Sequence, residues 1–300
     1  MVEGVVRFPA EFAARYRAKG YWEDRSLRDT FGELFARHAD RVAVIDRDKA
    51  VTYGQIDQRS TRLALNLLDE GLKPLDRVVV QLPNVVEFVY LYFALQKIGA
   101  IPIMALPTHR FREMSQFVEL SGAVACATPD TSKDFDYRDL VRRIRPGSKT
   151  LRLGIILGDA PQGYLSLAEL MERPSKRAPD ELRNLTIDPE DPAAFQLSGG
   201  TTGIPKLIPR SHNDYIYNSE MAAAVTGVGA ESVMLSVLPL AHNLPLACPG
   251  LQGYFLHGAQ VVLGNSTRSE DIFALIERHR VSHMAVVPAL LIRLINDPSI

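Results

Sequence analysis

Apolar positions along this chain alternate between two periods. Residues 75–81 carry an unbroken β-branched run at 78–80, the pattern of a strand covered on both faces. From 84 to 98 apolar residues fall at helical spacing, and 101–106 is again a strand-like run. The same alternation returns at 123–127 and 153–157, with a basic amphipathic helix around 140–144 between them. It returns once more at 233–238, 260–263 and 283–287, separated by helices near 245–256 and 270–279. Thr52 with Gln55, Ser211 with Asp214 and Thr267 with Glu270 fit or nearly fit capping boxes, which mark helix starts. Continuous apolar strands alternating with helices predict an α/β fold of helix-covered, mainly parallel β-sheets. Residues 174–192 are rich in proline and charge and read as a linker. That reading gives a first lobe over 1–173 and a second over 193–300.

Composition narrows the function classes. Of 300 residues, 46% are apolar and 23% charged, as in ordinary globular proteins. With 34 basic against 35 acidic side chains, the chain has no electrostatic footprint for nucleic acid or an anionic membrane. The basic run Arg142, Arg143, Arg145 reads as a solvated helix face. Cys126 and Cys248 stand alone, without a CxxC pair or a histidine at ligand spacing, so neither a disulfide nor a metal site is expected. The N-terminal residues lack the basic start and apolar core of a signal peptide. The most apolar stretch, 85–106, is interrupted by Glu87, Gln96, Lys97 and Pro102, which suits a buried helix and strand better than a membrane span. A reducing, cytoplasmic setting is the expectation.

The most informative stretch follows an apolar strand: Ser198, Gly199, Gly200, Thr201, Thr202, Gly203, then Lys206. Three glycines let the backbone turn its N–H groups inward around an anion without Cβ clashes. The serine and threonines add hydroxyl donors, and Lys206 supplies a point charge suited to phosphate. The order is not that of a Walker loop, because Lys206 follows Pro205 and no serine or threonine follows the lysine. The bland alternative is a flexible Gly/Thr hairpin; hydroxyls, glycines and lysine coinciding after a buried strand favour a phosphate loop.

SGGTTGIPK resembles the phosphate loop of the adenylate-forming superfamily, which includes acyl-CoA synthetases, peptide-synthetase adenylation domains and luciferases. The longer string QLSGGTTGIPKLIPRSHNDY, with LPLAHN downstream, is similar to the stand-alone aryl-acid–AMP ligases that start siderophore assembly on 2,3-dihydroxybenzoate or salicylate. FPAEFAARYRAKGYWEDRSL, VTYGQID and ALQKIGAIPIMALPTHR extend the resemblance over essentially the whole chain. It implies the large N-terminal domain of that superfamily, with ATP and Mg²⁺ used to convert an aryl acid to aryl-AMP and pyrophosphate. An aryl carrier protein's phosphopantetheine thiol would then accept the acyl group.

On the acid side, the resemblance implies that Asn243 contacts the ring hydroxyl ortho to the carboxylate; the alternative is that Asn243 caps a helix starting at Pro245. His242 is expected to line the pocket, with no acid–base role. Dihydroxybenzoate activators usually carry serine at the position of Cys248 and salicylate activators tend to carry cysteine, so Cys248 leans toward salicylate. Leu244 departs from the family's usual aromatic residue. The family's ribose-binding aspartate, adenine motif and C-terminal-domain lysine would lie beyond Ile300, so the chain reads as the N-terminal portion only, incomplete for turnover. Two rival readings stand beside it: an acyl-CoA ligase, and a catalytically silent binding module.

Overall fold

A computed structural model describes residues 2, 4–132, 134–198 and 205–298. The strands among them are β1 (Val42–Asp46), β2 (Lys49–Thr52), β3 (Arg77–Val80), β4 (Ile101–Met104), β5 (Ala125–Pro129), β6 (Thr131–Ser132) and β7 (Phe135–Asp136). They continue with β8 (Leu153–Leu157), β9 (Leu165–Ser166), β10 (Pro192–Leu197), β11 (Leu207–Ser211), β12 (Val233–Ser236), β13 (Gln260–Leu263) and β14 (His283–Met284).

Seven of these form a sheet in the order β11-β10-β4-β3-β5-β8-β9, parallel throughout except for the β10–β11 hairpin. Five form a second sheet, β14-β12-β13-β1-β2, parallel except for β1–β2. The expected α/β architecture of mainly parallel, helix-covered sheets is therefore present. Parallel neighbours need crossover connections, and helices supply most of them, although β8 reaches β9 through residues 158–164 alone. Helix Val86–Ile98, apolar almost all round, is buried along nearly its whole length. Its Phe93 packs against Phe31, Phe35, Tyr92 and Phe255 at centroid distances of 5.1, 4.9, 5.2 and 5.7 Å.

Several boundaries differ from the sequence reading. The sheets do not divide at 174–192, because each takes strands from both sides of that segment. A parallel crossover lets the chain return to a sheet laid down earlier, so sequence order does not become lobe order. Pro192 itself opens β10, and helix Asp180–Arg183 interrupts the segment before it. The helix expected over 245–256 is two, Asn243–Ala247 and Gly250–Leu256. Thr52 and Gln55 form the full reciprocal capping box, and the Ser211 hydroxyl accepts the Asp214 N–H. Thr267 caps nothing: helix Ser269–His279 is preceded by Arg268, without a side-chain cap.

One side chain fastens the two sheets together at the end that matters. Asn84 follows β3 and is buried. Its Nδ2 lies 3.2, 2.9 and 3.3 Å from the carbonyls of Ser236, Leu238 and Gly264, and its Oδ1 accepts the Leu240 N–H at 2.8 Å. The segment it holds, 236–240, leads directly to Asn243. Among the described residues, no helix is long and apolar enough to cross a membrane.

Candidate active site

Strand β10 carries the chain into the glycine-rich loop. Gly199, Gly200, Thr201, Thr202 and Gly203 lie outside the described residues, but both stems of the loop are defined. The Ser198 N–H donates to the Lys206 carbonyl at 3.0 Å, and the Lys206 N–H donates to the Ser198 hydroxyl at 2.9 Å. That reciprocal pair closes the mouth of the loop, extending the β10–β11 register by one step past Leu197 opposite Leu207. Lys206 is exposed and its ammonium makes no ion pair among the described residues, which leaves it available to an incoming anion.

The acid-side residues sit at the two ends of one short helix, Asn243–Ala247. His242 is exposed, and its Nδ1 accepts the Leu244 N–H at 3.3 Å, so His242 and not Asn243 caps this helix. Relieved of that role, Asn243 faces inward: its Oδ1 accepts the Tyr215 hydroxyl at 3.1 Å. Tyr215 in turn accepts from Gln196 Nε2 at 2.8 Å. Burial of Tyr215 pushes its phenol well above the usual range, so it stays a neutral donor. With Oδ1 engaged, Asn243 offers a neighbouring ligand its N–H donors. Cys248 ends the helix half-buried, close enough to Tyr215 to raise that phenol further. Its N–H bonds to the Leu244 carbonyl at 3.3 Å.

A backbone constraint shapes the turn beyond Cys248. Gly250 has φ +50°, and a Cβ there would stand 2.4 Å from the Pro245 carbonyl carbon. Only glycine lets this segment fold back on the helix it follows. Beside it, Asn218 Nδ2 and Ser219 Oγ donate to the Ala247 carbonyl at 2.5 and 3.1 Å.

Geometry thus joins the two halves of the sequence-expected site through residues that sequence reasoning missed. Gln196 is two positions before Ser198, and Gln196–Tyr215–Asn243 is one hydrogen-bonded line from the phosphate-loop strand to the acid-side helix. A signal was present: Gln196 is the one polar residue in the buried run of β10, and a buried amide demands a partner. Arg210 adds charge nearby, pairing with Asp214 at 2.6 Å while its guanidinium lies 5.2 Å from the Tyr215 ring centroid. Burial pushes the Asp214 carboxyl up, against the pull of Arg210.

Comparison with known proteins places the chain in a family. Residues 31–300 match the family model described as AMP-binding enzyme. The chain is 45% identical to triostin synthetase I of Streptomyces triostinicus, over 97% of this chain and 53% of that protein. It is 42% identical to the salicyl-AMP ligase/salicyl-S-ArCP synthetase of Mycobacterium tuberculosis, over 96% of this chain and 51% of that one. With the 2,3-dihydroxybenzoate-AMP ligase of Bacillus subtilis it shares 40% identity, over 97% and 52%. Among solved structures, the apo structure of Mycobacterium smegmatis MbtA superposes with a TM-score of 0.89 at 42% identity, covering 96% of this chain and 53% of that one. The chain spans about half the length of the curated relatives it matches. The family model, matched over residues 31–300, establishes that the chain belongs to the AMP-binding enzyme family.

Proposed function

We propose that this chain carries the pyrophosphate side and part of the acid pocket of an aryl-acid–AMP ligase. Such an enzyme joins ATP and an aromatic carboxylic acid into aryl-AMP and pyrophosphate. The observation that carries this reading is the Gln196–Tyr215–Asn243 line, which sets the acid-side helix beside the phosphate-loop strand. The carboxylate attacks the α-phosphorus and pyrophosphate leaves. The protein's part is to hold the two reactants in line and neutralise charge. Ser198, the loop through Gly203, and Lys206 hold the β- and γ-phosphates. Among the described residues no cluster of three His, Cys, Asp or Glu side chains could hold a metal ion. Mg²⁺ would enter with the nucleotide, held on its phosphates.

Asn243 donates an N–H to the hydroxyl ortho to the carboxylate, because its oxygen is already engaged by Tyr215. The Cys248 thiol, a poor hydrogen-bond partner, favours salicylate over 2,3-dihydroxybenzoate. The names of relatives such as the salicyl-AMP ligase/salicyl-S-ArCP synthetase support an aryl carrier protein as acceptor. A relative named salicylyl-CoA synthase keeps coenzyme A as the second reading.

Aryl-acid-dependent ATP–pyrophosphate exchange, measured on the longest natural chain containing residues 1–300, tests this. Lys206→Ala should weaken exchange by about 10- to 150-fold, since a hydrogen bond to a charged group contributes about 1.5–3 kcal/mol. Binding of the acid should be nearly unchanged, and exchange at the wild-type rate removes the loop from the mechanism. Cys248→Ser should shift the salicylate-to-dihydroxybenzoate preference several-fold toward dihydroxybenzoate, the effect of about 0.5–1.5 kcal/mol for one added hydroxyl pairing. A wild-type preference for dihydroxybenzoate refutes the assignment of Cys248.

A further inference from the structure

The hydrogen-bonded line from the phosphate-loop strand to the acid-side helix has a direction. Gln196 Nε2 can only donate, and it lies 2.8 Å from the Tyr215 hydroxyl oxygen. A phenol carries one proton. With its oxygen accepting from Gln196, that proton goes to Asn243 Oδ1 at 3.1 Å. Among the described residues the Tyr215 hydroxyl has these two partners alone. Tyr215 is 0% exposed, so bulk water does not compete for its proton. Asn243 is half-buried, and its Nδ2 bonds to no described residue. An amide whose oxygen is held in this way has only N–H groups to offer a ligand.

The hold on that amide is rigid. Helix His212–Thr226, which carries Tyr215, grips both ends of the short helix that carries Asn243. Tyr215 engages its first residue, and Asn218 and Ser219 donate to the carbonyl of its last, Ala247. The Tyr215 ring is itself fixed by the Arg210 guanidinium, 5.2 Å from its centroid, and Arg210 is paired with Asp214. Turning the Asn243 amide over would set an N–H against the phenol proton, two donors facing one another in a buried place. The fixed orientation divides aromatic acids into two kinds. A 2-hydroxybenzoate turns its hydroxyl hydrogen toward its own carboxylate and leaves oxygen lone pairs facing outward. A 2-aminobenzoate gives one N–H to its carboxylate and points the other outward. The first meets Asn243 as acceptor to donor, the second as donor to donor.

We propose that Tyr215 is a positioning residue that sets the substrate class. By pinning the Asn243 amide it selects aromatic acids whose ortho group accepts a hydrogen bond and rejects those whose ortho group donates one. The inference rests on the adenylation reading and on Asn243 facing the ortho group. ATP–pyrophosphate exchange on the longest natural chain containing residues 1–300 tests it with three benzoates of nearly equal size, carrying 2-hydroxyl, 2-methyl or 2-amino groups. The expected order of kcat/KM is hydroxyl, then methyl, then amino. The first should exceed the last by about tenfold or more, since donors left unpaired in a site are costly. Tyr215→Phe frees the amide to turn, so the hydroxyl-to-amino ratio should fall by about tenfold in a variant that denaturation shows to be folded. A merely structural role for Tyr215 would lower all three acids alike, and an unchanged ratio in the folded variant overturns the proposal. So does a wild type that uses 2-aminobenzoate better than 2-methylbenzoate, an order that can be read even if the variant fails to fold. Exchange with none of the three acids overturns the adenylation reading and this inference with it, which keeps the two failures distinct.

Discussion

Replacing Asn84 by leucine is expected to destabilise the chain by roughly 2–5 kcal/mol, a large share of the roughly 5–15 kcal/mol that holds a domain together. The loss is not one of volume, since leucine fills comparable space. What is lost is partnership. Asn84 satisfies the buried Leu240 N–H and the carbonyls around Leu238, and no apolar side chain can replace it there. Each buried group so orphaned costs about 1–3 kcal/mol. Denaturant unfolding should show a lower midpoint at an unchanged slope, as stability and not the exposed area has changed. A loss below about 1 kcal/mol would show that water replaces the amide at little cost. Because Asn84 also holds the segment leading to Asn243, the acid-side helix should loosen with it, and residues 236–243 should exchange their amide hydrogens faster.

The second large effect concerns acid. His212 is fully buried at the start of helix His212–Thr226, and its Nδ1 accepts the Leu27 N–H at 3.2 Å. Burial lowers its pKa from 6.5 to about 4, with Arg28 adding to the shift and Asp29 opposing it. The folded state thus binds this proton more weakly than the unfolded chain does. The contribution to stability is complete above the unfolded pKa of 6.5 and is lost as pH falls from there to about 4, in total about 3 kcal/mol. His109 repeats the arrangement, its Nδ1 accepting the Leu106 N–H while burial lowers its pKa, and so adds to the slope below 6.5. His212→Gln should be less stable at pH 7 but flatter toward acid. Parallel denaturation curves of the two chains from pH 7 to pH 4 would contradict a neutral, buried His212.

The fold was legible in the sequence wherever one physical signal dominated. Helix Val86–Ile98 and strands β8 and β13 announced themselves by period and by β-branched content, since burial on all sides leaves little room for polar residues. Sheet membership was not legible. Nothing local to Val42–Asp46 says that its parallel neighbour is Gln260–Leu263, because that pairing is closed by packing over more than two hundred residues of intervening chain. In the candidate site, residue chemistry drew attention to Ser198, Lys206, Asn243 and Cys248 as positions to examine. Tyr215 and Asn84 drew none, since their roles arise from carbonyls and amides that only the folded chain brings near. Thr267 shows the opposite error: a side chain of the right type whose helix starts two residues later.

The interleaving of the sheets has a consequence for cutting the chain. A break within 174–192 would leave one fragment with β3, β4, β5 and β8 but without β10, and the other with β12 and β13 but without β1. Each fragment would then expose the flank of a buried parallel strand, a surface that only the missing partner matches in register. The two pieces should therefore recognise one another in trans, as complementing halves that reassemble both sheets at once, whereas neither half alone holds a sheet that closes.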